Sequence, residues 1–136
     1  MRILGIDYGD KRIGLAVTDR LQITAQGLGC YQVTNKKEDK KYFTQLVADY
    51  QIEKIVLGLP LRMDGTSGPR VDKTKAFAKW LEEFLDLPII YWDERLTTKQ
   101  ATRILIQQNV KGKDKKNLKD QVSAVIILSG YMESLR

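Results

Sequence analysis

The chain opens on Ile3, Leu4 and Ile6, an apolar run closed by Asp7-Tyr8-Gly9-Asp10, and Ile13, Leu15 and Val17 then alternate with other residues up to Asp19. Alternation is the two-residue period of a half-buried strand, so these segments predict two strands joined as a hairpin. A third extended stretch is predicted over about Gly27 to Val33. After Asn35 the period changes. Phe43, Leu46, Val47 and Tyr50 recur at helical spacing, which predicts a helix over Lys36 to Tyr50 with Asn35 as its cap. Lys54-Ile55-Val56-Leu57-Gly58-Leu59 is a nearly continuous apolar run of the kind buried on both faces of a parallel sheet, and Pro60 ends it.

Turn formers, among them Asp64-Gly65 and Gly68-Pro69, mark a loop from Leu61 to Pro69. Phe77, Trp80, Leu81 and Phe84 then share one face of a helix predicted over Val71 to Leu85, stopped by Pro88, and Ile89 to Trp92 reads as a short strand. Thr97 or Thr98 can cap a further helix reaching about Gln108 and burying Ala101, Ile104 and Leu105. A last helix is predicted over roughly Leu118 to Ser134, carrying Val122, Val125, Ile126, Ile127 and Leu128. Three strands in succession suggest an antiparallel meander, and strands separated by helices suggest right-handed parallel crossovers. The expected architecture is α/β: one mixed five-stranded sheet with helices on both faces, in a single domain over residues 1–136.

Composition narrows the chemistry. With 43% hydrophobic and 29% charged residues, the chain has the mixture of an ordinary globular protein. No run reaches ~18 apolar residues and the first one meets Asp7 too early for a secretory signal, so the expectation is a cytoplasmic protein with no membrane partner. The lone Cys30 excludes an intramolecular disulfide and is read as a small buried hydrophobe. There is no histidine, which rules out a Ser-His-Asp triad, a Cys-His pair, an HExxH zinc site and a histidine general base. Acid-base work must fall to carboxylates, lysines, tyrosines or metal-bound water.

The net charge of +6 is not evenly spread. Residues 99–119 hold Lys99, Arg103, Lys111, Lys113, Lys115, Lys116 and Lys119 against Asp114 alone, so this segment carries the whole excess. Such a cluster is the footprint of a polyanion binder, or else a solvated loop that keeps the protein soluble. Three acids stand where a core has no use for them: Asp7 at the end of the first strand, Asp93-Glu94 at the end of the fifth, and Asp120 in the first turn of the last helix. Singly, each has a plainer account as a turn former, a surface ion pair or a helix-terminus charge. Together, hard oxygen ligands beside a basic strip are what a metal-assisted phosphate reaction requires.

Four motifs in order carry a resemblance over nearly the whole chain. Ile6-Asp7-Tyr8-Gly9 with Lys11-Arg12-Ile13-Gly14, Gly58-Leu59-Pro60 with Met63-Asp64-Gly65, Asp93-Glu94-Arg95-Leu96-Thr97-Thr98, and Asp120 ahead of Ser123 to Leu128 closely resemble the YqgF family, also called RuvX. The resemblance implies a ribonuclease H-like fold and a nuclease that processes the 5′ end of the small-subunit ribosomal RNA precursor, pre-16S rRNA. An older assignment in the same family is Holliday-junction resolution. Carried over by residue, it implies Asp7, Glu94 and Asp120 as the catalytic and metal-holding acids, Asp93 as a supporting group, and Arg12 and Arg95 as phosphate contacts. The chain departs from the family pattern at Asp10, where an uncharged residue is common, and at Ser123, where alanine is. Asp10 either helps hold cations or caps the turn, and the cap is the preferred reading.

Physically, Mg2+ or Mn2+ held by the three acids would polarise a scissile phosphate and activate water without any histidine. Lys111, Lys113, Lys115 and Lys116 would contact backbone phosphates without reading sequence. The expected partner is nucleic acid, with an rRNA precursor preferred and branched DNA as the alternative. A junction enzyme would act as a two-fold homodimer, and an RNA-trimming enzyme could act as a monomer. Two other classes compete: an ATP-handling domain of the actin and sugar-kinase type, which needs two related domains where this length offers one, and a catalytically silent nucleic-acid-binding module.

Overall fold

The computed structural model describes residues 1–61, 64–65, 68–94 and 115–135, with the side chains of 115–121 outside the description. The elements are β1 (Arg2–Asp7), β2 (Arg12–Thr18), β3 (Ala25–Gln32), α1 (Lys36–Tyr50), β4 (Ile52–Leu59), α2 (Pro69–Glu82), β5 (Ile89–Asp93) and α3 (Lys115–Ser134). The five strands form one sheet in the order β3-β2-β1-β4-β5. β1, β2 and β3 pair antiparallel, whereas β4 runs parallel to both β1 and β5. The meander and the parallel crossovers are thus both present. The helix expected over residues 97–108 lies outside the described residues.

Local chemistry sets the element ends. Asn35 caps α1, its side-chain oxygen accepting from the Glu38 N–H at 2.9 Å. Gln51 then turns left-handed, at φ 52°, and hands the chain directly to β4. α2 begins at Pro69 rather than Val71, because proline in the first helical turn gives up no hydrogen bond and has its φ already set. It ends at Glu82, short of the expected Leu85. α3 begins at Lys115, so the end of the segment read as a basic loop is helical backbone. In β3 the register shifts opposite Leu15 and Ala16, and Gly29, at φ +93°, takes a conformation that L side chains rarely adopt.

The sheet divides the core in two. Leu4, Ile6, Ile13, Leu15 and Leu57 pack with Phe43 of α1 and with Phe77 and Leu81 of α2. Ile3, Ala16 and Val56 face the other way, onto Ala124, Ile127, Leu128 and Tyr131 of α3. Two buried polar groups are tied into the frame. The Thr18 hydroxyl accepts from the Ile3 N–H at 2.9 Å, and Asp39 accepts from Tyr31 Oη at 2.7 Å and from the Thr34 N–H at 3.1 Å. Cys30 is half-buried rather than buried, because β3 is an edge strand. Among the described residues no helix is long and apolar enough to cross a membrane.

Candidate active site

Parallel pairing brings the carboxyl ends of β1, β4 and β5 to one edge of the sheet. Ile6 lies opposite Leu57 and Leu59 opposite Asp93, so Asp7, which closes β1, and Glu94, which follows β5, emerge at the same edge on either side of β4. Strand side chains alternate between faces. Asp7 follows Ile3, which packs under α3, and Gly5, which meets Leu128, in the same parity; it therefore belongs to the α3 face.

Gly58, on β4 between the two acids, makes room for them. A Cβ there would overlap the Ile127 side chain of α3 and stand 3.1 Å from the Glu94 carboxyl carbon. A strand glycine forfeits packing and adds backbone entropy to the unfolded chain. Here the missing side chain lets the Glu94 carboxyl lie against β4 beneath the helix.

The electrostatics agree with that placement. Burial pushes the Glu94 carboxyl up to about 7, the negative charges of Asp7 and Asp93 push in the same direction, and Arg70 opposes them. Two carboxylates thus share a partly buried space with an excess of negative charge, and the donors are hard oxygens. That combination suits a hard divalent cation, whose charge would relieve both the repulsion and the cost of burial.

Of the three predicted acids, the structure places Asp7 and Glu94 together. Asp120 lies on the α3 backbone, the helix covering this face, but its side chain is outside the described residues, and among the described residues no three acids form a metal cage. Arg12 opens β2 at the same end of the sheet and, alternating with Ile13, shares the face of Asp7. Arg95, Lys111 and Lys113 lie outside the described residues. Lys115 and Lys116 are the first two residues of α3, with side chains likewise outside the description.

Asp10 departs from its reading as a turn cap. It is exposed, and its carboxylate pairs with Lys73 of α2 at 3.1 Å. The turn beside it leaves no space for a side chain at Gly9, where a Cβ would overlap the Arg12 carbonyl oxygen. Tyr8, Gly9 and Asp10 form one wall of a cavity of about 180 Å³ whose other wall is Arg70, Lys73 and Thr74. Tyr8 is half-buried, with its ring stacked on Phe77 at 4.6 Å. Burial, and then the charge of Asp10, raise its hydroxyl pKa. Arg70 and Lys73 escaped the sequence reading; the available signal was their i, i+3 spacing directly after Gly68-Pro69.

Comparison with known proteins gives this geometry a lineage. A family model described as RuvX, Holliday junction resolvase, matches residues 1–134. A protein of Halothermothrix orenii named as a candidate pre-16S rRNA nuclease is 46% identical over 132 residues, 97% of this chain and 94% of that protein. A Listeria monocytogenes protein of the same name is 42% identical over 136 residues, 98% of this chain and 99% of that one. Among solved structures, Thermus thermophilus RuvC in complex with a Holliday junction superposes with a TM-score of 0.63 at 12% identity, covering 98% of this chain and 96% of that one. The Fowlpox virus resolvase with its junction DNA gives a TM-score of 0.63 at 19% identity, covering 99% of both chains. At these identities the structural likeness bears on the fold, which is ribonuclease H-like. The full-length family match and the close relatives settle descent: the chain belongs to the RuvX family.

Proposed function

We propose that this protein is a divalent-metal-dependent phosphodiester hydrolase that processes the 5′ end of pre-16S rRNA as an endonuclease. The observation that carries this reading is the meeting of Asp7 and Glu94 across Gly58, with the Glu94 carboxyl raised to about 7 by burial and by its acidic neighbour. Asp7 and Glu94, joined by Asp120 from α3, would hold Mg2+ or Mn2+, which supplies positive charge to the scissile phosphate and lowers the pKa of bound water. β1 fixes the Asp7 carboxylate. Glu94, whose carboxyl is pushed up to about 7 by burial and by Asp7, would be held in its charged form by the cation it helps to bind, so in a chain without histidine the proton to be moved is that of metal-bound water. Arg12, Arg95, Lys111, Lys113, Lys115 and Lys116 serve the substrate backbone as phosphate contacts.

The names of the relatives favour pre-16S rRNA, and the description of the family model favours a four-way DNA junction. A single-turnover assay with both substrates, in Mg2+ or Mn2+, separates them. The expected result is metal-dependent cleavage of the RNA precursor by wild type and a loss on the order of a hundredfold in Asp7→Asn, because the substitution removes ligand charge while keeping volume. Exclusive cleavage of the junction would transfer the assignment to resolution. Binding without cleavage of either substrate, or an Asp7→Asn protein that cuts at the wild-type rate, would overturn the catalytic reading.

A further inference from the structure

The acids occupy the α3 face of the sheet edge, and the cavity lined by Tyr8, Asp10, Arg70 and Lys73 opens at the same edge on the α2 face. We propose that this cavity is a subsite for a backbone phosphate of the bound nucleic acid, with Arg70 and Lys73 as its cationic walls and Asp10 as an internal competitor that holds Lys73 until the phosphate arrives.

Size and charge point the same way. About 180 Å³ is ample for a phosphate group with its waters but is tight for a nucleobase with its sugar. Arg70 and Lys73, one turn apart on α2, present two cations to one space, and Thr74 adds a lining position. Arg70 links the cavity to the acidic site electrostatically, its positive charge being felt at the Glu94 carboxyl. A strand crossing the sheet edge would therefore meet the acids on one face and this cavity on the other.

The Asp10–Lys73 pair is the second observation. Its side chains are 62% and 57% exposed, so it is a surface pair whose interaction is weak enough for an incoming phosphate to replace. A phosphate makes a better partner, because Arg70 stands on the same wall and can share its charge. Asp10 thereby weakens the subsite while keeping Lys73 ordered within it.

The inference rests on the reading that Asp7 and Glu94 cut nucleic acid, and the two can fail separately. Binding of a short fluorescent RNA, with divalent metal chelated, is measured across a salt titration for wild type, Asp10→Asn, Lys73→Gln, Arg70→Gln/Lys73→Gln and Asp10→Asn/Lys73→Gln. All three positions are exposed or lie at the surface pair, and thermal melts confirm folding. The double cation variant should bind about tenfold more weakly at low salt, with a salt slope shallower by about one to two units. Asp10→Asn alone should bind about threefold more tightly, and that gain should vanish when Lys73 is already Gln. Wild-type affinity and slope in the Arg70→Gln/Lys73→Gln protein would overturn the subsite. An equal gain from Asp10→Asn with and without Lys73 would overturn the competitor role. Neither outcome depends on cleavage, so an inactive wild type with the expected binding pattern removes the nuclease reading and leaves the subsite in place.

Discussion

The two faces of the sheet are built on opposite packing strategies. Under α1 and α2 the helices are held off by rings: Phe43 and Phe77 meet edge-on at 5.7 Å, Phe77 and Trp80 lie 5.8 Å apart, and Tyr31 stacks on Tyr42 at 3.9 Å. Under α3 the strands offer Gly5, Ala16 and Gly58, and the helix answers with Ala124 and Gly130. A Cβ on Gly5 would stand 2.8 Å from Leu128 Cβ and 3.1 Å from the Ala124 carbonyl. One face is thick and aromatic. The other is thin and brings a helix down to the strand ends where Asp7 and Glu94 emerge. The contrast teaches that stability and site geometry are assigned to different faces, so each can be perturbed with limited effect on the other.

The strongest test of this division is Phe43→Ala, which deletes a fully buried ring at the meeting point of α1, α2 and the sheet. It should cost about 3–5 kcal/mol by chemical denaturation. Metal affinity, measured on the fraction still folded, should be unchanged. A lost metal site in folded Phe43→Ala protein would mean that the faces are not separable.

Next in size is a pH effect confined to the thin face. An unfolded Glu94 titrates near 4.5, whereas burial and Asp7 keep it protonated in the folded state up to about 7. Between those values the folded protein holds more protons than the unfolded chain, so stability falls as pH rises and levels off above about 7. The span corresponds to ~3 kcal/mol at most in metal-free protein. Glu94→Gln should flatten this segment of the denaturation profile, and added divalent cation should restore stability chiefly at the alkaline end. Parallel profiles for wild type and Glu94→Gln would show that Glu94 is not in the strained position assigned to it.

The smallest expected effect sharpens the geometry. Gly5→Ala pushes a methyl group against the α3 backbone and should cost about 1–3 kcal/mol. Because the displaced helix is the one that carries Asp120, cleavage per folded molecule should fall as well. A Gly5→Ala protein with normal stability would mean that α3 is free to slide and that the close approach does not constrain it.

Much of this was legible in the sequence because the period and the caps agreed. Asn35 and the Phe43, Leu46, Tyr50 spacing marked α1 at its observed bounds, and the alternation of Ile13, Leu15 and Val17 marked β2. The start of α2 was obscured because its cap is Gly68, which contributes no side-chain hydrogen bond, and its first residues look like a turn. The start of α3 was hidden for another reason: lysines carry no apolar period, so the helix became visible only at Leu118. In the site, Asp7 and Glu94 were readable as acids at strand ends. Arg70 and Lys73 were not, since their relevance depends on α2 crossing back to the β1–β2 turn, a contact between distant parts of the chain. Asp10 was misread for the same reason, its partner being 63 residues away.

The chain holds two tryptophans, and the sheet separates them. Trp80 belongs to the aromatic face, where the Lys36 ammonium sits 4.4 Å from its ring centroid. Trp92 belongs to the α3 face, with its ring against Gly130 and its buried Nε1 finding no hydrogen-bond partner among the described residues. One indole therefore lies beneath a cation and the other, two residues before Glu94, against Gly130. The molecule carries a separate fluorophore for each half of its core, so replacing either with Phe turns ordinary emission spectroscopy into a record of which face loosens first.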